Sequence, residues 1–322
     1  MERGAAVSSA PDRRGVLGLR ALPWALVAVL GALPWAWFPL RDELGLAGDV
    51  VAIVLPVLAV IAAIAAVALL GRRGVVVAVS ALLAGTVAVV APWTPADAGP
   101  VRPGAGVTVA SANVTAMPST VPALRASHAD VLAVVENAPA IDAAVAAGYP
   151  FHLFAPGSPS VGVYSRFPLR LLQAPGPGFP GMRVAVAAPV PFVLYAMHVP
   201  KPWWTGSGGY WTTPAEHHRL VEDLAARAAR EPGPVVVAGD LNSTDRARDY
   251  RLLVGSGLTD AMRAEGTGPT SVTMWRALLL RIDHLLVGPG WCGDAPRQFT
   301  LPDSDHDGIT ATVGPCGVTP AA

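Results

Sequence analysis

Eight side chains that could do chemistry sit where apolar runs stop. Asn113 closes the run at 106–114, Glu136 follows Val131–Val135, and His198 ends Phe192–His198. Asp240 and Asn242 follow the next run in Gly239-Asp240-Leu241-Asn242. Asp283 stands in Arg281-Ile282-Asp283-His284, and Asp305 and His306 in Ser304-Asp305-His306. An Asp after a strand is ordinarily a turn former or a helix cap, so each is weak alone. Strand ends of a layered fold share a rim, however, and eight oxygen and imidazole groups there can converge on a pocket. Carboxylates beside imidazoles would hold a hard cation, move a proton and stabilise an oxyanion. The plainer reading has them only capping strands and helices. Buried Asp and Glu seldom go unpaired, which argues for a gathered set.

Other chemistries lack their residues. The chain has no Gly-x-Ser-x-Gly elbow and no phosphate-binding loop with its lysine. Two cysteines are too few for a thiolate zinc site. His217 and His218 are adjacent on a helical stretch, about 100° apart around the axis, so they cannot share a metal as an i, i+4 pair would. They are expected as exposed helix residues. Lys201, the only lysine, could contact a phosphate or simply be solvated.

The elements that must position these groups alternate irregularly. Strands are predicted at 106–114, 130–136, 161–165, 183–188, 192–198, 234–239, 282–287 and 309–313. Helices are predicted at 121–128, 141–147 and 216–230, the last with Leu220, Leu224 and Ala228 on one face. This mixture predicts an α/β (α+β) sandwich rather than a bundle.

The 322 residues are 52% hydrophobic and only 14% charged, where an ordinary soluble domain is about 25% charged. That excludes a disordered protein, a nucleic-acid tail and a simple cytosolic globule. The apolar excess lies in the first third, where three runs (19–40, 50–70 and 75–93) each approach the roughly 20 residues that cross a bilayer. Buried core helices are the alternative, made less apt by three runs in a row; a signal peptide would explain only the first. Arg3, Arg13, Arg14 and Arg20 precede the first run, and Arg72 and Arg73 lie between the second and third. The positive-inside rule then puts residues 1–18 in the cytoplasm, and a linker at 94–106 leads to an extracytoplasmic domain at 107–322. The expected location is the cell membrane, multi-pass, with the lipid bilayer as partner. In an oxidising compartment Cys292 and Cys316 tend to bridge, although two separate buried thiols remain open.

The local contexts resemble the endonuclease/exonuclease/phosphatase family, the metal-dependent phosphoesterases related to DNase I. The matching segments are Ser111-Ala112-Asn113-Val114, Ala129-Asp130-Val131-Leu132 leading to Glu136, and Tyr164-Ser165-Arg166-Phe167-Pro168. Met197-His198-Val199-Pro200, Ala238-Gly239-Asp240-Leu241-Asn242-Ser243, Arg281-Ile282-Asp283-His284 and Asp303-Ser304-Asp305-His306 follow in the family's order. Val135 departs from the pattern, which often has Gln before the Glu. The resemblance implies a DNase I-like sandwich of two sheets flanked by helices. It implies Glu136 as main metal ligand with Asn113 and Asp305 near it, and Asp240 with Asn242 orienting the attacking water. Asp283 would hold His306, and His306 and His198 would donate to the phosphate. A hard cation on carboxylates favours Mg²⁺, with Mn²⁺ as its substitute. Arg166 is a further candidate for the substrate.

Residues 105–322 carry 15 basic and 17 acidic residues, a net of −2, which disfavours binding an intracellular nucleic acid. After His198 comes a glycine-rich loop with Lys201, Trp203, Trp204, Tyr210 and Trp211. It either packs as core or dips into the membrane interface, where Trp and Tyr are at home. Three spans plus an outer phosphoesterase domain look like the VanJ-type membrane proteins associated with teicoplanin resistance. That resemblance implies a phosphorylated lipid, a polyprenyl diphosphate, as substrate. Two other readings stay open: a phosphodiesterase or nuclease acting on phospholipid headgroups or extracellular nucleic acid, and a non-catalytic module that binds phosphorylated ligands. No protein partner is indicated.

Overall fold

The computed structural model describes residues 13–96, 99–202, 210–271 and 276–317. The chain begins with α1 (Arg13–Ala32), a 3₁₀ turn at Leu33–Ala36 and a short helical turn at Trp37–Leu40. Then come α2 (Gly45–Leu70) and α3 (Gly74–Val90). Between them the chain reverses at Gly71, whose φ of +56° suits a residue without Cβ. Two runs among the described residues are long and apolar enough to cross a membrane, Pro23–Leu40 and Gly45–Trp93. The second, 49 residues long, is this hairpin, so the sequence-predicted second and third runs are its two arms. Small residues face inward (Ala52, Ala63, Ala66, Ala78, Ala81) while Val29, Ile61, Ile64, Leu69 and Val79 point outward. Small residues let the helix backbones approach closely.

The remaining chain is a two-sheet sandwich. Its elements are β1 (Val107–Asn113), α4 (Val121–Ala126), β2 (Val131–Val135), α5 (Pro139–Ala146), β3 (Phe151–Ala155) and β4 (Val161–Ser165). Next come β5 (Leu169–Gln173), β6 (Gly181–Val186), β7 (Phe192–His198), α6 (Pro214–Ala229) and β8 (Val235–Asp240). α7 (Arg248–Gly255), β9 (Thr259–Asp260), β10 (Asp283–Val287), β11 (Trp291–Thr300) and β12 (Asp307–Pro315) complete it. One sheet runs β11-β12-β1-β2-β4-β3 and the other β9-β10-β8-β7-β6-β5. Val109, Val131, Val163, Leu194, Val236, Leu285 and Ile309 interlock between them. α6 and α7 cover the second sheet over Tyr195, Val237 and Leu286, and α4 and α5 cover the first over Ala112, Leu132 and Val134. With both faces covered, the central strands are continuously apolar, which is why they are plain in the sequence.

Register gathers the strand ends. β1 and β2 are parallel, with Asn113 opposite Val135, the residue before Glu136. β7 and β8 are parallel with His198 opposite Asp240, and β10 runs antiparallel with Asp283 opposite Asp240. β12 starts beside the end of β1, Ile309 opposite Ser111, which brings His306 to the same rim.

Candidate active site

Asp240 is fully buried at the centre. Its Oδ1 accepts the Asn242 backbone N–H at 2.8 Å, and its Oδ2 accepts from Asn113 Nδ2 at 3.0 Å. The same Asn113 amide donates to Glu136 Oε1 at 3.0 Å, so one side chain ties two carboxylates together. His198 Nε2 lies 3.6 Å from Glu136 and 3.8 Å from Asp240 and has no hydrogen-bond partner among the described residues. His306 Nε2 is 3.7 Å from Asp240 Oδ2, and its Nδ1 is held by Asp283 Oδ2 at 2.8 Å. Asp305 Oδ1 accepts from Thr115 Oγ1 at 2.5 Å and lies 3.8 Å from His306 Nε2. Asn242 also donates to the Val199 carbonyl at 2.9 Å, tying β8 to β7 beyond their strands.

Backbone conformation at this rim is unusual. Glu136, Asn242 and Thr115 have φ of +50°, +46° and +47°. Left-handed backbone at a residue with a Cβ is disfavoured and persists where surrounding contacts hold it. At Gly239 it is obligatory, with φ +150° and a Cβ that would fall 1.9 Å from the Met197 carbonyl oxygen.

The two imidazoles are set apart electrically. Burial opposes charge on His306, but Asp283 and Asp240 outweigh it and raise its pKa to about 10. Burial, together with His306 and Lys201, pulls His198 down to about 3, so it is neutral. Burial pushes Asp240 up, against the pull of His306. Four carboxylates, those of Glu136, Asp240, Asp283 and Asp305, thus meet one imidazolium. This surplus of negative oxygen suits a hard divalent cation. Asp240, Asp283 and His306 bring ligand atoms within 4.8 Å of one another. Their Asp283–His306 pair is already closed, however, and a protonated imidazole has no lone pair to give. The carboxylates open to a cation are those of Glu136, 28% exposed with Asn113 beside it, and of Asp305, 35% exposed.

Not every candidate from the sequence reaches this rim. Arg166 lies at the opposite end of its sheet, beside Asp130 at 3.6 Å, because β4 runs antiparallel to β2 and Ser165 faces Val131. Lys201 packs its ammonium 5.7 Å over the Trp211 ring, and Trp211 is 38% exposed. Tyr210 backs the site instead: its ring centroid is 4.3 Å from that of His198, and its hydroxyl donates to the His198 carbonyl at 2.8 Å. Trp203 and Trp204 lie outside the described residues. Cys292 and Cys316 are bridged. The expectation that His217 and His218 are exposed is corrected. His217 is buried between Asp249 Oδ2 at 2.8 Å and the Leu241 carbonyl at 3.0 Å, and His218 bonds the other oxygen of Asp249. Thr115, Ser304 and Thr270 were missed. Ser304 Oγ donates to the Asn113 carbonyl at 2.8 Å, and Thr270 Oγ1 accepts the Ile282 and Asp283 N–H groups at 3.1 Å. Lone hydroxyls in loops carry no periodic signal that would have found them.

Fold and site together define a two-sheet α/β sandwich whose acids and imidazoles meet at one rim, the layout of a phosphoester hydrolase. The model of the Endonuclease/Exonuclease/phosphatase family matches residues 115–306, and the chain belongs to that family, whose members are phosphoesterases, nucleases and phosphatases. No curated protein matches the sequence. Among solved structures, an endonuclease/exonuclease/phosphatase from Beutenbergia cavernae DSM 12333 is similar at 20% identity and a TM-score of 0.50, covering 68% of this chain and 74% of its own. A Bacteroides vulgatus endonuclease/exonuclease/phosphatase is similar at 16% identity and 0.49, over 65% and 99% of the two chains. A humanized D. rerio TDP2 is similar at 17% and 0.49, over 65% and 99%.

Proposed function

We propose that this chain is a membrane-anchored, divalent-cation-dependent phosphoesterase that hydrolyses a lipid-linked diphosphate at the outer face of the bilayer. The observation that carries the reading is the meeting of Asp240, Glu136, Asn113, His198 and His306 around one space. Bound to Glu136 beside Asn113 and Asp305, Mg²⁺, or Mn²⁺ in its stead, would neutralise charge on the phosphoryl oxygens. Asp240, with its pKa raised by burial, accepts the proton of the attacking water, and Asn242 fixes the carboxylate that does so. His306, held protonated by Asp283, donates toward the phosphoryl and leaving oxygens. His198 turns its Nε2, unpartnered among the described residues, to the same space, and Tyr210 holds its ring. Water attacks the terminal phosphorus, the bridging P–O bond breaks, and a lipid monophosphate and inorganic phosphate leave.

The membrane setting is supported by the outward-facing aliphatics of α1–α3, the Arg72–Arg73 turn and the disulfide, which favours an oxidising compartment. In this reading residues 1–18 are cytoplasmic, 19–93 cross three times, and 107–322 lie outside, as in the VanJ-type proteins. The domain's net charge of −2 speaks against a nucleic-acid backbone as substrate.

The deciding assay uses purified full chain with polyprenyl diphosphate, phosphatidylcholine, sphingomyelin and DNA in parallel, with Mg²⁺ and with chelator. Phosphate release from the diphosphate, lost on chelation and in Asp240→Ala, is expected. Release no greater than that of Asp240→Ala would overturn the lipid-diphosphate reading. Cleavage of the diesters or DNA instead would reassign the substrate.

A further inference from the structure

Arg246 has no exposed surface, and its guanidinium donates to four main-chain carbonyls. Two belong to the domain, Leu278 at 2.5 Å and Leu279 at 2.9 Å. The other two belong to α2: Ala52 at 2.5 Å and Ile53 at 3.3 Å. Ala52 is four residues before Pro56. A helix carbonyl normally accepts the N–H four residues on, and proline has none; its ring also crowds that carbonyl aside. Pro56 therefore opens one acceptor on the outer turns of an apolar helix, and an arginine from the domain fills it. The contact is flanked on both sides. Arg248 Nε pairs with Asp49 Oδ2 at 2.8 Å, Arg251 bonds Asp42, and Ala247 packs with Trp37, Ala52 and Leu55.

We propose that α2 is a positioning element of the reaction centre, clamping through Arg246 and the Ala52 carbonyl the 241–246 loop that carries Asn242. The inference rests on the phosphoesterase reading of that centre. The loop leaves Asp240 directly, so the proton acceptor and the clamp are six positions apart, a reach of about 20 Å at full extension. Its first turn is strained: Asn242 is held at φ +46° while its N–H bonds Asp240 and its side chain bonds Val199. Such a conformation needs fixing from both ends of its loop. On the domain side Asp245 supplies one anchor, in an ion pair of 2.8 Å with Arg281, itself 2.6 Å from Asp260. Arg246 supplies the other, and that anchor is a membrane helix. Arg246 is a positioning residue, for it acts on Asp240 only through the loop. The consequence is that the helices do more than tether: the active site is completed by the segment that lies in the bilayer.

The test uses the full chain in nanodiscs with a small water-soluble ester, p-nitrophenyl phosphate, which offers a terminal phosphorus as the diphosphate does, so that lipid access plays no part. The variants are Arg246→Met, Arg246→Lys and Pro56→Ala. Pro56→Ala returns an N–H that competes for the Ala52 carbonyl and leaves the helix better bonded, so it keeps the test open where Arg246→Met fails to fold. Expected are a drop in kcat of tenfold or more for Arg246→Met, a smaller drop for Pro56→Ala, and partial rescue by Arg246→Lys, all with KM within twofold. Amide hydrogen exchange across 241–247 should rise in the same variants while Val107–Asn113 stays protected. A kcat within twofold of the parent in both Arg246→Met and Pro56→Ala, with unchanged exchange, would show a mere anchor and overturn the proposal. Absence of turnover by the parent chain would strike the functional reading instead, and the exchange comparison would still decide the clamp.

Discussion

At the scale of single residues, the site is an arrangement of like charges held together by few donors. Asn113 bonds both Glu136 and Asp240, and His306 is the one imidazolium among four carboxylates. Asp240→Asn keeps the size and loses the carboxylate proposed to accept the proton of the attacking water. It is expected to lower kcat by roughly 10² to 10⁴ with KM little changed, measured on the released phosphate. A loss shared equally by KM would point to a binding role instead. His306 makes a pH prediction for stability. Its pKa rises from 6.5 in the unfolded chain to about 10 when folded, with Asp283 and Asp240 overcoming burial. The stabilisation is therefore complete below pH 6.5 and is lost as pH climbs through about 10. Denaturant melts at pH 6, 8 and 10 should show falling stability, and His306→Gln should flatten that trend. An equal decline in the variant would assign the effect to other groups. The eight rim residues were legible because motif and apolar run coincide. His217 was not, because its partner Asp249 lies 32 positions away.

At the scale of elements, the site depends on two parallel pairs being in register. β7 and β8 approach so closely at Gly239 that an added Cβ meets the Met197 carbonyl, and the φ of +150° admits no side chain. Gly239→Ala is expected to cost about 3 kcal/mol or more, read from thermal melts or from loss of folded yield. A melt unchanged within a degree would refute the close approach. The central strands were readable from continuous apolar runs, since helices cover both faces. β3, β5 and β11 escaped. They are edge or outer strands with half-exposed, mixed sequences, and β11 shifts register between Asp294 and Arg297, which breaks its alternation. α7 escaped because it begins without a side-chain cap and carries its charges early.

At the scale of the whole molecule, the ties that join parts distant in sequence include the Arg246 clamp, the Arg248–Asp49 and Arg251–Asp42 pairs and the Cys292–Cys316 disulfide. The disulfide closes a 24-residue separation, and Cys316 pairs across a bridge with Val101 in the connection from α3. Closing a loop of this length stabilises by about 3 kcal/mol. Cys316→Ser should therefore lower the melting temperature of the sandwich domain by roughly 6–12 °C, and reductant should do the same to the parent chain alone. Equal melting of parent and variant under oxidising conditions would mean the bridge contributes nothing.

Local pattern settled a great deal. The apolar runs, the strand ends bearing Asn113, Glu136, His198, Asp240, Asp283 and His306, and the two cysteines are all visible in the linear chain, since periodicity and residue chemistry act over a few positions. Which groups touch was decided in three dimensions. Arg166 resembles a site residue in its motif, yet the antiparallel run of β4 carries it to the far end of the sheet. Arg246 looks like one more solvated charge until a proline 190 positions earlier is seen to free a carbonyl for it. Strand order, register and the packing of a helix against a loop couple residues over such separations, and no short-range pattern encodes them.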